Sequence, residues 1–545
     1  MTNPLERVGG RSRVVWLGAC LVAASALHFL GGNVADPDLW GHVRYGQMIL
    51  DGHGLPREDV FSYTAPGAPF YDHEWLTDLV FASLFALGGS ASLVVLKLVL
   101  SAVMLLAMLD AIRRTAECAA PDEPPHPLTV AAALIASLAV IGPGATFRPQ
   151  LFTMVFLALE VAMLLRADRR LESGAALPIE LAALPPMTLA WANLHGGFLV
   201  GLGLLGVYCA TRIGATLLQR LRGVATDLEP QQVVAVACVG LLALAAPLAN
   251  PYGLELYTYL AETLDMHGEI TEWYPVSLFT TEFLRFKVAC AAAVISAAIA
   301  WRARRHGAQA RVLLAWMIPF LAVTAVLAFR HQRHTVLFGI AVAPLLVVGL
   351  EQVRRRTLER WPSLAPRRTV FAAAACGAIA IALVQLHGFG AKIARDGLDI
   401  RFGRMDYPID AVEFMRTHGI GGNVAMPFEW GAYTIAKLAP DARVFIDGRF
   451  EAVYPPQVIA DYFAFMHGTD GWARLLDAYP TDVVVVQRWR NIHPRLFTHP
   501  DFENVYSDPA SLIFVRRSPS NDQALGRLAS IGNRFDFPRN ETVFP

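Results

Sequence analysis

The chain has little charge. Only 17% of its 545 residues are charged, whereas 54% are hydrophobic and the mean hydropathy is +0.41. Lysine plus arginine and aspartate plus glutamate balance at 46 each, so there is no net positive charge to attract nucleic acid. This composition is typical of a polytopic membrane protein with a smaller soluble part.

The sequence also has few cysteines, no internal repeat and no low-complexity tract. No two cysteines are spaced as Cys-x-x-Cys, and none occurs after Cys376. The six all lie in apolar segments or in loops predicted to be cytoplasmic, at positions 20, 118, 209, 238, 290 and 376. Neither a disulfide framework nor a thiolate zinc site is indicated.

Eleven apolar runs approach the roughly 20 residues that a membrane-spanning helix needs. They are 14–32, 90–109, 128–141, 151–165, 177–191, 198–218, 233–248, 288–301, 312–329, 336–350 and 370–386. The fifth run contains Pro185-Pro186, which predicts a short or broken helix inside a bundle.

Arginine clusters occupy alternate loops, near residues 7–13, 113–114, 166–170, 212–222, 302–305 and 354–356. The stretch 250–282 contains no lysine or arginine. Because basic residues near span ends stay in the cytoplasm, the amino terminus is predicted inside and the carboxyl terminus outside. We expect a multi-pass membrane protein with this orientation.

Two domains are predicted: a transmembrane domain over 1–390, with an outer-face loop at 33–76, and an extracytoplasmic α/β domain over 391–545 with a polar tail. Short apolar runs in the second domain predict strands at 423–426, 444–446, 482–486 and 512–515. Helical patterns flank or separate them at 410–417, 430–438, 456–466 and 472–478. This alternation favours βαβ units.

The predicted outer loop opens with Asp36-Pro-Asp-Leu-Trp-Gly-His42. If 39–50 is helical, then Asp38, His42 and Tyr45 share one face at i, i+4 and i+7, with Asp38 near the positive end of the helix dipole. The alternative is structural: Asp38 caps the helix and Asp36 shapes the Asp-Pro turn.

Two further groups of polar residues are predicted at the same membrane face. Asp72-His73-Glu74 opens the helix that leads into the second span, where simple capping is an alternative role. Arg148, Arg330 and Arg333 lie where sparsely basic outer loops meet helices. A guanidinium group matches phosphate oxygens, although anchoring to bilayer headgroups is again an alternative.

Carboxylates and arginines at one membrane face can hold a phosphate-linked lipid and deprotonate a hydroxyl. This predicts sugar transfer from a polyprenyl-phosphate donor to a glycan, lipid or protein acceptor. Asp38 is the predicted general base, and an arginine stabilises the departing phosphate. Further candidates for catalysis are Asp36, His42 and Glu74, and those for substrate binding are His73, Arg148, His195, Tyr252, Arg330 and Arg333.

The chain resembles the GT-C superfamily of membrane glycosyltransferases, and within it a large, poorly characterised bacterial branch. The segments that carry this resemblance are Asp36-Pro-Asp-Leu-Trp-Gly-His42, Phe61-Ser-Tyr-Thr-Ala-Pro-Gly67, Asp72-His-Glu-Trp-Leu76, Trp191-Ala-Asn-Leu-His-Gly-Gly-Phe198, Asn250-Pro-Tyr-Gly253 and Val444-Phe-Ile-Asp-Gly-Arg449. The resemblance implies a polytopic helical protein of the bacterial inner (plasma) membrane. It also implies an acidic base in the first outer loop, which corresponds to Asp38. Many relatives carry a second acidic residue where this chain has Arg148-Pro-Gln150, so a bound divalent metal is possible but not favoured.

Other motifs have a structural and a functional interpretation. His195 lies at a tight predicted turn, where a structural role is favoured over substrate contact, and Tyr252 follows a helix stop and can line a cavity. Asp447-Gly-Arg449 ends a buried strand, a usual place for ligand contacts, and equally suits a structural Asp-Arg pair. No cofactor is expected.

Two other functions are alternatives to the transferase. A lipid-linked glycan flippase predicts ionisable residues at bilayer mid-depth and an inverted repeat, and neither is evident in the sequence. A non-catalytic scaffold of the same fold needs fewer spans than this chain offers.

Overall fold

The computed structural model describes residues 4–119, 124–263, 270–303, 308–362, 368–519, 521–529 and 541–544. The helices are α1 Pro4–Leu30, α2 Leu39–Leu50, α3 Trp75–Ala119, α4 Pro127–Ile141, α5 Gln150–Glu172, α6 Ile179–Ala182, α7 Leu184–Leu194, α8 Phe198–Leu221, α9 Pro230–Ala245, α10 Glu255–Thr263, α11 Leu284–Ala303, α12 Ala308–Arg330, α13 Thr335–Arg360, α14 Arg368–Asp396, α15 Ile409–His418, α16 Phe428–Leu438, α17 Pro456–His467, α18 Arg474–Ala478, α19 His493–Phe497 and α20 Asp522–Ala529. The strands are β1 Arg401–Gly403, β2 Gly422–Ala425, β3 Ala442–Val444, β4 Val483–Gln487, β5 Phe502–Ser507, β6 Ser511–Arg516 and β7 Glu541–Val543.

The chain divides into two compact units. The helical unit contains Met1–Gly32, Val95–Gly253 and His267–Gly397, and the sheet unit contains Asn33–Val94, Leu254–Met266 and Leu398–Pro545. The segment 33–76, predicted as a loop of the transmembrane domain, therefore folds in the same unit as the carboxyl-terminal residues.

Among the described residues, nine helices are long and apolar enough to cross a membrane. They are Ser12–Leu30, Trp75–Cys118, Pro127–Gly144, Gln150–Glu172, Phe198–Leu221, Pro230–Ala249, Leu284–Arg302, Gln332–Arg360 and Ala375–Asp396, and Leu314–Arg330 is a shorter apolar helix. These ten correspond to ten of the eleven predicted spans, so the polytopic helical class is confirmed.

The run 177–191 differs from its prediction as a span. It contains α6, of four residues, and most of α7, of eleven. Eleven residues rise about 16 Å, roughly half the thickness of a bilayer core. Pro185 and Pro186 lie in the first turn of α7, where a missing N–H costs no helix hydrogen bond. The proline pair therefore opens a short helix.

Close backbone approach holds the helical unit together. α13 packs against α4, α11 and α12, and α1 packs against α4 and α14. A Cβ on Gly349 of α13 would lie 2.7 Å from the Cβ of Ser296 in α11, and one on Gly339 would lie 3.3 Å from the Cβ of Val140 in α4. Small residues at such crossings let helices pack closely in a membrane.

Ionisable side chains, Lys97 and Glu160 among them, are buried inside several of the described spans. Lys97 is 3% exposed and donates a hydrogen bond of 2.8 Å to the carbonyl of Gly32. Glu160, also 3% exposed, is the eleventh of the 23 residues of α5. Lys97 and Glu160 are thus buried ionisable groups inside apolar helices, and neither was among the predicted site residues.

The sheet unit contains a five-stranded sheet in the order β3-β2-β4-β6-β5. β2 pairs in parallel with β3 and with β4, so the βαβ prediction is confirmed for β2-α16-β3. β6 runs antiparallel to both β4 and β5. All five residues of β4, Val-Val-Val-Val-Gln, are buried, as expected for a central strand.

The segment 33–76 is joined to this sheet. Ser62 forms a parallel bridge to Val444 at the β3 edge, where the Val444 N–H donates to the carbonyl of Phe61 at 2.9 Å. Val34 forms a second parallel bridge, to Arg401 of β1. Phe61 and its neighbours cover a strand edge that would otherwise expose unpaired backbone groups.

Candidate active site

Asp36 and Asp38 have different roles at the start of α2, which begins at Leu39 as predicted. Asp36 is 6% exposed, and its Oδ1 accepts a hydrogen bond of 3.1 Å from the Asp38 N–H, so it shapes the turn. Asp38 occupies the N-cap position but makes no side-chain capping hydrogen bond. The half-buried carboxylate of Asp38 therefore does not cap the helix.

His42 lies one helical turn beyond Asp38. Its Nδ1 is 2.7 Å from Oδ1 of Asp78, and the two side chains are 12% and 1% exposed. If Asp78 is ionised, the imidazole donates from Nδ1, and a neutral ring then has its lone pair on Nε2. Asp78 was not among the predicted site residues, although it lies four residues after Glu74, a spacing that places both on one helix face.

The Asp72-His73-Glu74 segment lies close to His42 and Asp78. Asp72 is 4% exposed, and burial, followed by the nearby Asp78 carboxylate, raises its pKa well above the usual range. His73 Nε2 lies 3.7 Å from Glu74 Oε1, and the His73 ring lies 5.3 Å from that of Tyr259. Asp72, Asp78 and His42 thus form one buried titratable cluster.

Replacing Asp72 by Asn is expected to make the protein more stable than the wild type, by an amount that increases as pH rises. Because the pKa of Asp72 is raised in the folded state, the folded chain holds a proton that the unfolded chain has already lost above about pH 4, so folding becomes less favourable as pH rises. Its Oδ2 has no hydrogen-bond partner, so ionisation of the buried carboxyl is unfavourable, and a neutral amide removes this cost. The expected gain is about 1 to 3 kcal/mol at neutral pH.

Thermal unfolding in detergent across pH 3.5 to 8 measures this effect. The advantage of Asp72→Asn should be absent at the acid end, grow with pH and then level off. Asp470→Asn, an exposed aspartate of the same unit, is the control and should show no such trend. An advantage that shrinks as pH rises would contradict the assignment.

Arg449 is the centre of a second buried cluster. Its Nη2 lies 2.5 Å from Asp59 Oδ1 and 2.7 Å from Asp447 Oδ2, and the side chains of all three are at most 7% exposed. The guanidinium carbon is 5.9 Å from the ring of Tyr45, which was predicted to share a face with Asp38. The structural Asp-Arg pair considered for Asp447-Gly-Arg449 is therefore present, with Asp59 as a second partner.

The predicted phosphate-binding arginines belong to the helical unit. Arg148 Nη1 donates to both carboxylate oxygens of Glu272, at 2.6 and 2.7 Å. The guanidinium of Arg333 lies 4.6 Å from the ring centroid of Trp273. Arg330 is exposed at the end of α12. Two of the three arginines thus contact the same segment, Glu272-Trp273, which was not among the predicted site residues.

His195 forms the turn after α7. Its Nδ1 accepts a hydrogen bond of 2.8 Å from the Gly197 N–H and lies 2.7 Å from Thr153 Oγ1, which accepts from Trp191 Nε1 at 2.8 Å. An acceptor at Nδ1 means that a neutral ring is protonated at Nε2. These contacts give His195 the structural turn role that was favoured, while substrate contact by its ring remains a prediction.

Tyr252 is buried at 5% exposure, with its N–H bonded to Asn250 Oδ1 at 2.7 Å. This Asx turn explains the Asn250-Pro-Tyr-Gly253 motif as a helix stop. Its predicted substrate contact is not tested by this geometry. Within the described ranges, no group of three or more His, Cys, Asp or Glu side chains could hold a metal ion.

Comparisons with known proteins identify the fold. No family model matches the chain, and no curated protein matches it in sequence. The Archaeoglobus fulgidus oligosaccharyltransferase, solved in complex with Zn and sulfate, matches with a TM-score of 0.53 at 12% identity, over 97% of this chain and 74% of that one. The same enzyme tethered to an acceptor peptide containing the NVT sequon matches with a TM-score of 0.52 at 12% identity, over 92% and 74%.

ArnT from Cupriavidus metallidurans, bound to undecaprenyl phosphate, has a TM-score of 0.47 at 12% identity, over 93% of this chain and 98% of that one. The likeness to the oligosaccharyltransferase establishes the fold: the chain shares the fold of that membrane enzyme, which is the polytopic helical fold that the resemblance to the GT-C superfamily implied.

Proposed function

We propose that the protein is a membrane glycosyltransferase that moves a sugar from a polyprenyl-phosphate donor to an acceptor hydroxyl on the extracytoplasmic face. The observation that carries this proposal is Asp38, a half-buried carboxylate that makes no capping hydrogen bond, on a fold shared with an oligosaccharyltransferase. A fold hosts many reactions, so the site residues must supply the chemistry.

Asp38 acts as general base. It removes the proton of the acceptor hydroxyl as that oxygen attacks the anomeric carbon, and the bond from this carbon to the phosphate oxygen breaks. A positioned base contributes about 10² to 10⁴ in rate. His42, held by Asp78, lies one turn along the same helix and adds a second group able to take a proton.

Arginines hold the phosphate, since developing negative charge on the leaving oxygen is stabilised by a guanidinium. Arg148 is neutralised by Glu272, with the two side chains 19% and 39% exposed. A lipid phosphate that binds there must compete with this carboxylate. Arg333, stacked on Trp273, and the exposed Arg330 are the other candidates.

Removing the Glu272 charge is expected to tighten binding of undecaprenyl phosphate. Because partly exposed ion pairs contribute up to about 1 kcal/mol, Glu272→Gln should increase affinity up to about fivefold, and Arg148→Gln should decrease it. Titration of the lipid in nanodiscs, followed by intrinsic fluorescence, measures both. Asp110→Asn releases Arg166 from a comparable ion pair and is the control. Wild-type affinity in Arg148→Gln would contradict the role of Arg148.

Reconstitution tests the transferase proposal without knowledge of the sugar or the acceptor. Purified protein in liposomes receives the lipid extract and the envelope fraction of a deletion strain, which supply donor and acceptor. Release of polyprenyl phosphate together with sugar attached to the envelope fraction is expected. Passage of intact donor lipid across the bilayer without release would instead identify a flippase. Glu160 is relevant to that alternative because buried ionisable residues often mark transport pathways. If neither release nor passage of the donor lipid occurs, the protein is a scaffold.

A further inference from the structure

We infer that the loop Asp447-Gly448-Arg449 positions the Asp38 carboxylate, so that the carboxyl-terminal part of the chain completes the catalytic centre. This inference rests on the proposed function, because it assigns a positioning role toward the proposed base. Residues 38 and 448 belong to the same compact unit.

Gly448 lies directly against the carboxylate. A Cβ added to Gly448 would lie 2.8 Å from Asp38 Oδ1 and 3.9 Å from Asp38 Cγ. Apart from its own chain neighbours, no other heavy atom would lie within 4 Å of that Cβ. Beyond its chain neighbours, a Cβ at position 448 would therefore meet only Asp38 within 4 Å, and it would crowd the carboxylate.

The glycine is not required by its own backbone. Gly448 does not have the positive φ found at twelve other described glycines, so alanine can adopt its conformation. What excludes a side chain is the contact with Asp38. This separates Gly448 from the glycines of the unit that serve turns, such as Gly419 with φ of 64°.

The loop that carries Gly448 is held rigidly on both sides. Asp447 Oδ1 accepts from the Arg449 N–H at 3.0 Å and from Arg449 Nε at 2.9 Å, which closes the loop on itself. Arg449 then binds Asp59, whose Oδ2 also accepts from the Ser62 N–H at 3.0 Å. A Cβ on Gly431 would lie 2.7 Å from the Cβ of Asp447, so α16 packs tightly behind the loop.

A rigid backbone against one carboxylate restricts its rotation. Asp38 lies at the N-cap position of α2, and the Gly448 backbone limits where its carboxylate oxygens can go. Catalytic groups need placement within fractions of an ångström, and a misplacement of 1 Å can cost about 10²-fold in rate.

The variant Gly448→Ala tests this inference. An ordinary contact to the added methyl group needs at least 3.4 Å, so the carboxylate must move by more than half an ångström. In the reconstituted assay, the maximal rate of polyprenyl-phosphate release should fall about 10- to 100-fold, with an unchanged half-saturating amount of donor extract. The apparent melting temperature should stay within about two degrees, because only the end of one side chain is displaced.

Gly526→Ala is the matched control, since no heavy atom lies within 4 Å of the added Cβ in this helix of the same unit. It should turn over at the wild-type rate. A cryo-EM structure of the Gly448→Ala protein should show the Asp38 carboxylate moved away from residue 448.

Asp38→Asn measured in parallel separates this inference from the proposed function. Wild-type turnover in Gly448→Ala, with an inactive Asp38→Asn, overturns the positioning role and leaves the transferase proposal standing. Wild-type turnover in Asp38→Asn overturns the proposed base itself. A large fall in melting temperature in Gly448→Ala also contradicts the inference, because it would show a structural role for the glycine.

Discussion

Replacement of Asp38 by Asn is expected to lower the maximal rate of sugar transfer by about 10² to 10⁴, the contribution of the general base that we propose. The substitution keeps the size and the hydrogen-bonding capacity of the side chain but removes its ability to accept the hydroxyl proton. Folding should be little affected, since Asp38 makes no capping hydrogen bond to α2. Binding of undecaprenyl phosphate should also persist, because the phosphate is assigned to arginines.

Two measurements make this result specific. Release of polyprenyl phosphate gives the rate, and lipid titration in nanodiscs gives the affinity. Asp51→Asn, an exposed aspartate at the other end of α2, carries the same change of charge and should transfer sugar at the wild-type rate. Equal losses of rate in both variants would point to a general electrostatic effect and against a base at position 38.

Replacement of Arg449 by Met has the largest expected effect on stability. Asp59 and Asp447, 0% and 1% exposed, would be left as buried carboxylates without their cation. Breaking a buried ion pair on one side costs about 3 to 5 kcal/mol. Loss of the Arg449 side chain also removes contacts that fix the loop carrying Gly448, so the rate of transfer should fall together with stability.

Protease sensitivity of the sheet unit and the apparent melting temperature measure this loss. Arg443→Met removes an exposed arginine from the neighbouring strand β3 and should change neither. Adding Asp59→Asn and Asp447→Asn to Arg449→Met removes the two buried carboxylates that have lost their cation and should restore most of the stability. A wild-type melting temperature for Arg449→Met alone would show that the cluster does not stabilise the fold.

Hydrophobic patterning predicted most of the fold because each element carries its own periodicity. Helix α2 and the strand β4, with its run of valines, are both recognisable locally. The run 177–191 was predicted incorrectly as a span because apolar content alone does not show where a proline pair starts a helix. Strand β5 was missed since only two of its six residues, Phe502 and Tyr506, are buried.

The candidate site was predictable only in part. The face shared by Asp38 and His42 follows from helix geometry within one segment. The contact of Asp38 with Gly448 joins residues 410 positions apart, and no sequence pattern indicates that these two residues are neighbours in space. Asp78 was overlooked because it lies inside an apolar helix, where the hydropathy pattern hides a single carboxylate.

Chemical rescue measures the central role most directly. Asp38→Gly leaves space where the carboxylate was, and formate can enter that space as a substitute base. The account predicts that sugar transfer by Asp38→Gly is nearly abolished, rises with formate concentration, and that formate leaves the wild-type rate unchanged. Transfer by Asp38→Gly at the wild-type rate without formate would contradict the assignment of the proton acceptor.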